Sequence, residues 1–210
     1  MTVKLVTVDA VIQRMSLGDH EDILNSVESA LVGVAELLQS KIDTVFDPVV
    51  NKVEVFRPRV KKFWDTTPDD LLRLKLRNAF VTSGSVELKF GNALPDVINH
   101  TGTVVPTSDY TVDFERGYIY LALDYDDQYV SVKYSAGIQF PAGTPPPDVT
   151  DVPAWLQEAA LAYVPVVLNQ NQTTNRSPEM ENTLKLLTAH ASAIVDPHVR
   201  NIPFAHTPIL

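Results

Sequence analysis

The sequence predicts an α+β protein in which a helical platform carries an inserted antiparallel β domain. Apolar residues recur at helical spacing near both ends of the chain, whereas the middle alternates apolar and polar residues as strands do. Helices that flank a strand block must pack together to bury their apolar faces. We expect N-terminal platform helices over 1–50, an inserted β domain over 51–139, a Pro-rich connector with C-terminal helices over 140–197, and an extended arm over 198–210.

The composition indicates a folded chain, with 45% hydrophobic and 20% charged residues. The chain has no cysteine, which excludes disulfides, cysteine-ligated metals and thiol nucleophiles. Its longest apolar run, 159–168, is half of the ~20 residues that cross a bilayer, so we expect no membrane partner. The net charge of -9 disfavours broad nucleic-acid binding, which requires surplus basic residues.

Basic residues nevertheless concentrate between positions 52 and 77. They are Lys52, Arg57, Arg59, Lys61, Lys62, Arg73, Lys75 and Arg77. Runs of charge are usually solvated faces, so we favour a solvated loop and strand edge over an anion-binding patch.

Two helices are predicted before the strands. Thr7 is a suitable N-cap for a short helix that Gly18 ends. Asp19 is the predicted N-cap of a long helix that reaches Phe46 and stops at Asp47-Pro48. Its predicted buried stripe comprises Ile23, Val27, Ala30, Leu31, Val34, Leu37, Leu38, Ile42 and Val45.

The predicted β domain contains one clear hairpin. Residues 110–114 and 118–123 alternate as strands, and Gly117 supplies the positive φ that the turn between them requires. Further strands are expected over 53–55, 86–90 and 129–134, in a small sheet or partly closed barrel. Residues 92–108 are predicted to form a loop, and 71–81 fit either a strand or a helix.

Prolines organise the C-terminal third. Residues 140–153 read as a stiff connector, and the helix that follows Pro153 should kink at Pro165. Ser177 is the expected N-cap of a final helix that Asp196-Pro197 closes. The tail after it is apolar for a chain terminus, so it either folds back on its own domain or docks on a partner.

The residues that carry catalytic or metal chemistry form no recognisable motif. The five histidines are far apart in sequence, and Asp124, Asp126 and Asp127 are better explained as a solvated turn than as a weak calcium site. Convergence of two strand carboxylates as a catalytic pair is an open alternative, although exposed carboxylates are the simpler interpretation; the four candidates are Glu54, Glu87, Asp113 and Glu115. We expect no enzymatic activity, no cofactor and no metal.

Several stretches, in their order along the chain, resemble the head-tail connector (adaptor or neck) proteins of tailed bacteriophages. They are TVDAVI (7–12) before the long helix, DYTVD (109–113), GYIYL (117–121), VSVKYSAG (130–137) and PAWLQEAAL (153–161). The resemblance covers nearly the whole chain.

The resemblance implies a structural virion protein made in the host bacterial cytoplasm and located at the head-tail junction. Such proteins form a ring of about twelve subunits under the portal. The ring extends the DNA channel without holding the DNA tightly, and it provides the platform for neck or tail-completion proteins. The implied portal-docking arm comprises Val199, Arg200, Ile202, Pro203, Phe204, Ile209 and Leu210.

The sequence leaves two alternatives open. In one, the β domain is a binding module for a host surface or for virion decoration, held on a helical stalk, with Tyr118, Tyr120 and Tyr129 facing solvent as its ligand platform. In the other, the chain is a glycan or peptidoglycan hydrolase, which would need two carboxylates converging in a cleft.

Overall fold

The chain has the predicted α+β class, with five α-helices and antiparallel sheets among the residues that the computed structural model describes. These residues are 4–18, 20–59, 71–139, 150–171, 178–200 and 205–210. The helices are α1 (Val8–Met15), α2 (Glu21–Ile42), α3 (Leu94–Val97), α4 (Ala154–Asn171) and α5 (Pro178–Val195). The strands are β1 (Val49–Phe56), β2 (Leu71–Lys75), β3 (Glu87–Gly91), β4 (Thr103–Val104), β5 (Tyr110–Asp113), β6 (Tyr118–Ala122), β7 (Tyr129–Ala136), β8 (Ile138–Gln139) and β9 (Thr150–Asp151). None of the helices in this part of the chain has the length and apolar character that a membrane span requires.

The described residues divide into two compact units. The helical unit contains the described residues up to Asp43, Gln139, and the described residues from Asp151 to Arg200, so it includes α1, α2, α4 and α5. The β unit contains the described residues from Thr44 to Ile138, Thr150, and residues 205–210. Of the predicted connector over 140–153, residues 140–149 lie outside the described residues, and Thr150–Asp151 form β9.

Both N-terminal helices end earlier than predicted. The Thr7 hydroxyl accepts a hydrogen bond from the Ala10 N–H at 3.2 Å, as an N-cap should, but α1 ends at Ser16 in the left-handed region rather than at Gly18. Helix α2 ends at Asp43, also left-handed, and not at Asp47-Pro48. Aspartate is among the residues that tolerate this conformation. The predicted cap Asp19 lies outside the described residues.

Most of the predicted apolar stripe of α2 is buried in the helical unit, whereas its residues Ile23 and Leu37 are half-buried. Helix α2 packs on α4, where Gly33 faces Val167, and the Lys41 ammonium lies 5.7 Å from the centre of the Tyr163 ring. Its buried residues are Val27, Ala30, Leu31, Val34, Ala35, Leu38 and Ile42. Val45 was predicted to belong to this stripe, but it follows the helix and is exposed.

Helix α4 continues through Pro165, and the side-chain amide of Asn169 donates to the Pro165 carbonyl at 2.7 Å. Helix α5 ends at Val195, and a short 3₁₀ turn over Asp196–His198 follows, as the Asp196-Pro197 pair predicts. The His198 ring stacks on Trp155 at 3.6 Å between centroids, which ties the end of α5 to the start of α4.

The β unit contains two antiparallel sheets around one apolar core. Their strand orders are β1-β7-β3-β4 and β2-β6-β5. The ambiguous segment 71–81 begins with strand β2, in which buried Leu72 and Leu74 alternate with half-buried residues. The predicted loop over 92–108 is not entirely irregular, since it contains α3 and β4.

The predicted hairpin is formed by β5 and β6. Gly117 has a φ of 65°, and a Cβ at this position would collide with the Asn78 carbonyl oxygen. Glycine is therefore needed here for both its backbone conformation and the close approach of another segment.

Replacing Leu38 by alanine should lower the free energy of unfolding by about 2–5 kcal/mol, because its fully buried side chain would leave a cavity between the helices. Glu36→Ala, at an exposed position of the same helix, should change it by less than about 0.5 kcal/mol. Urea unfolding followed by circular dichroism measures both. Equal effects of the two substitutions would contradict the assigned buried face.

Candidate functional site

A buried polar cluster surrounds Glu54 on the core side of strand β1. The side chain of Glu54 is 1% exposed. Its Oε1 atom accepts a hydrogen bond from the Tyr134 hydroxyl at 2.7 Å and lies 3.0 Å from the Lys52 ammonium. Its Oε2 atom accepts from the Arg77 backbone N–H at 3.1 Å. Both carboxylate oxygens are thus satisfied, as burial of a charge requires.

Asn78 completes this cluster from the turn after β2. Its Oδ1 atom accepts from the Lys52 ammonium at 2.7 Å and lies 3.2 Å from the Tyr134 hydroxyl. One hydroxyl proton serves one acceptor at a time, and the shorter distance assigns it to Glu54. The cluster therefore joins β1, β7 and the 76–79 turn through charge-assisted hydrogen bonds, and its role is to hold these three segments together.

The strand register keeps Glu54 and Glu87 apart. Glu54 pairs with Val132 on β7, whereas Glu87 pairs with the next residue, Lys133. Successive residues of a strand point to opposite faces, so the two carboxylates lie on opposite sides of the sheet. Asp113 accepts a hydrogen bond from the Arg116 N–H in the hairpin turn at 3.0 Å. The register therefore excludes Glu54 and Glu87 as a converging catalytic pair.

A second polar cluster lies on the opposite face of the same sheet, around His100. The His100 Nδ1 atom is 3.0 Å from the Ser131 hydroxyl, and Nε2 is 3.5 Å from a Glu87 oxygen. The Lys89 ammonium lies 3.2 Å from Glu87 and donates to the His100 carbonyl at 3.0 Å. The separation between Nε2 and Glu87 is too long for a good hydrogen bond.

Ser131, His100 and Glu87 lie in a row, as the members of a nucleophilic triad do. Their geometry does not support that chemistry. Ser131 is 0% exposed within β7, so its oxygen is closed to a substrate. The same hydroxyl lies 3.4 Å from the Lys89 carbonyl. The contact between Ser131 and His100 therefore holds the 98–101 turn against the sheet.

Burial dominates the titration of His100 and lowers its pKa below the usual 6.5; the Glu87 charge opposes this shift, and Lys89 and Lys133 add to it. The pKa of Glu87 is also lowered, chiefly by its hydrogen bond with Lys89.

An open polar cleft of about 450 Å³ lies next to this turn. Two glycines in its wall allow backbone segments to approach, since a Cβ on Gly102 would collide with the Phe90 carbonyl oxygen. The Thr101 hydroxyl donates to the Asp96 carbonyl at 2.8 Å. The lining residues are Phe90, Gly91, Asn92, Asp96, Thr101, Gly102 and Thr103.

Part of the basic stretch pairs with the acidic turn. Asp127 accepts from Arg59 at 2.6 Å and lies 3.1 Å from the Arg57 Nε atom, while the Arg57 guanidinium covers the Tyr129 ring at 4.9 Å. The hydrogen bond from Arg59 is the main cause of the lowered pKa of Asp127. Among the described residues, no group of three or more potential ligands could hold a metal ion.

One residue of the hypothetical tyrosine platform is misplaced. Tyr118 is 0% exposed in the β-unit core, so the prediction that it faces solvent is wrong. Tyr120 and Tyr129 are half-buried. Tyr118 follows Gly117 at the start of β6, where its side chain turns inward.

The predicted docking arm is divided between the two units. Arg200 is buried in the helical unit, where its backbone N–H donates to the Ile42 carbonyl at 3.4 Å and its guanidinium donates to the Asp43 carbonyl at 2.9 Å. It thereby supplies positive charge at the C-terminus of α2, where the helix dipole favours it. Val199 precedes it and is half-buried. Ile202, Pro203 and Phe204 lie outside the described residues.

Residues 205–210, here called the C-terminal segment, lie along strands of the β unit. His206 forms a parallel bridge with Leu74 on β2, and the Ile209 N–H donates to the Val55 carbonyl of β1 at 2.7 Å. The side chains of Ile209 and Leu210 are 50% and 48% exposed. Docking of this segment on a portal stays a prediction.

Sequence reasoning missed the Glu54 cluster and the pairing of His206. The only local signal for the first was a glutamate and a lysine spaced by two on an otherwise apolar strand, and the second depends on contacts distant in sequence. No protein-family model matches the chain, and no curated protein sequence has significant similarity to it.

Removing the Tyr134 hydroxyl by Tyr134→Phe should lower the free energy of unfolding by about 1–3 kcal/mol, because a buried carboxylate loses a hydrogen bond. Chemical denaturation measures the change. Tyr110→Phe, at a half-buried position of β5, is the control and should cost less. A neutral Tyr134→Phe variant would contradict the structural role of the cluster.

The free energy of unfolding should fall as the pH drops below about 6.5. In this range His100 is protonated in the unfolded chain, whereas in the folded chain its lowered pKa keeps it neutral. The loss ends once the pH is below the lowered folded pKa. Denaturation between about pH 7.5 and about pH 5.5 avoids most carboxylate titration. His100→Gln should flatten this pH dependence, whereas the exposed His20→Gln control should retain it. An unchanged slope in His100→Gln would contradict the assignment.

Proposed function

We propose that this chain is a structural virion protein, a head-to-tail adaptor that forms a ring under the portal of a tailed bacteriophage. In this role it extends the DNA channel and provides the docking platform for neck or tail-completion proteins. The ring contains about twelve copies, as the family resemblance implies. The proposal gives the chain no catalytic role.

The observation that carries the proposal is the division of the chain into a helical unit and a β unit. Helices from before and after the strand block, α2 and α4, pack together in one compact unit, and the strands between them form a second unit. The stretches that resemble adaptor proteins come from both units, and their order along the chain is part of the resemblance. This organisation supports a scaffold that offers separate surfaces to different neighbours.

Helix α5 offers a surface for contacts between subunits. Only Ala191 and Val195 are buried in it, and its N-terminal half exposes apolar side chains, with Leu186 73% and Met180 44% exposed. Permanent assemblies bury large and apolar interfaces, often beyond about 2,000 Å². We assign the exposed half of α5 to the interface between neighbouring copies in the ring.

The charge of the chain suits a channel through which DNA passes. A net charge of -9 opposes tight binding of phosphate, and two of the arginines in the basic stretch are paired with Asp127. DNA is thus a passing neighbour in this proposal.

Mixing the purified chain with purified portal rings should add a ring of density at the portal in electron micrographs. Ile209→Asp combined with Leu210→Asp should weaken portal association by about tenfold or more, because two half-exposed apolar side chains become charged. Ser29→Asp combined with Ser40→Asp places the same charge on exposed positions of α2 and should leave association intact.

Absence of a ring with the unmodified chain would contradict the adaptor proposal. If both double variants weaken association equally, the adaptor proposal stands, but the C-terminal segment has no specific role in docking.

The open cleft beside α3 favours one second candidate, a binding module. Its carboxylate, amide and threonine hydroxyls suit a polar ligand such as a glycan. Density for the chain on the particle surface away from the portal would favour this function over the adaptor.

A further inference from the structure

We infer that the outer edge of strand β2 is a strand-addition site that accepts the C-terminal segment of a second copy of this chain in place of its own. The inference requires only another copy of the chain, so it does not depend on the portal proposal. It names a surface, the edge of β2, and its occupant, residues 205–210.

The edge is defined by the sheet order. Strand β2 is the first strand of the β2-β6-β5 sheet, so among the described strands β6 pairs with one of its sides and no strand of the sheet lies on the other. An exposed strand edge presents unpaired N–H and C=O groups that readily bind an extended peptide. Peptide binding by strand addition uses the same groups.

In one chain the C-terminal segment occupies this edge through backbone atoms. The His206 N–H donates to the Arg73 carbonyl at 2.7 Å, and the Lys75 N–H donates to the His206 carbonyl at 2.8 Å. These two bonds flank Leu74 and produce its parallel bridge with His206. Beyond them, the Ile209 N–H donates to Val55 on β1, an edge strand of the other sheet.

None of the side chains of the segment is fully buried. Thr207 is exposed, Ile209 and Leu210 keep about half of their surface in solvent, and Ala205, His206 and Pro208 are half-buried. The backbone hydrogen bonds of His206 and Ile209 are a substantial part of the attachment. Because such bonds do not depend on side-chain identity, an equivalent segment can replace the resident one without loss of a contact.

The second copy is the occupant that reproduces every one of these contacts. Exchange of an identical segment between chains conserves its native interactions, and this makes it a low-cost route to association. The segment is also joined to a fixed point, since Arg200 is held by the carbonyls at the end of α2.

Engineered cysteines test the inference cleanly because the chain has none of its own. In the parallel register of the bridge between Leu74 and His206, Lys75 and Thr207 are the next residues of the two segments, and we place the cysteines there. A chain carrying Lys75→Cys and a chain carrying Thr207→Cys are mixed at increasing concentration, incubated and oxidised. Non-reducing electrophoresis and peptide mass spectrometry then identify the link.

We expect a disulfide between position 75 of one chain and position 207 of the other. Its yield should exceed that of a control mixture, Lys75→Cys with the exposed Glu36→Cys, by at least about tenfold, because paired strands raise the local thiol concentration to the millimolar range. The yield should also rise with protein concentration, as exchange between copies requires.

A chain that carries both Lys75→Cys and Thr207→Cys verifies the pairing within one molecule. If this double variant forms its internal disulfide while the mixed chains form none above the control, the segment binds only in its own chain and the inference is overturned. Failure of the double variant to form the internal disulfide would overturn the pairing itself. A portal ring can still form in either case, so the adaptor proposal is tested separately.

Discussion

The position of strand β7 between β1 and β3 is the constraint on which the rest of the β unit depends. This strand pairs with both neighbours along most of its length, so its residues are fixed on two sides. Tyr134 reaches Glu54 on one face, whereas Ser131 reaches His100 on the other face. A shift of register by one residue would exchange the two faces and break both polar clusters.

The two clusters are both buried, but they differ in how their polar atoms are satisfied. Glu54 is buried as a carboxylate whose oxygens are occupied by a hydroxyl, an ammonium and a backbone N–H. His100 is buried with no hydrogen-bond partner for Nε2 in the described part of the chain, and its burial lowers its pKa. Every carboxylate oxygen of the first cluster therefore has a hydrogen-bond partner, whereas burial in the second cluster favours the neutral form of His100.

Local patterns in the sequence predicted the elements better than their ends or their contacts. The α2 stripe and the Gly117 hairpin follow from periodicity and from one backbone requirement, so they were correctly predicted. The end of α2 at Asp43 was not, because it depends on a left-handed aspartate and on Arg200, which is distant in sequence. The Glu54 cluster was missed for the same reason, since Asn78 and Tyr134 join it only once the strands pair.

The two assembly proposals share one cost, which is the free energy needed to release the C-terminal segment from its own β unit. Portal docking and exchange between copies both require residues 205–210 to leave their own β2 and β1 edges, which breaks the backbone bonds of His206 and Ile209. At about 0.5–1.5 kcal/mol net for each such bond, release costs a few kcal/mol, so a modest interface is enough to drive it. A second copy restores these bonds, whereas a portal must replace them with new contacts, for which the half-exposed Ile209 and Leu210 are available. Exchange between copies should therefore need less new interface than docking, and it can occur before a portal is present.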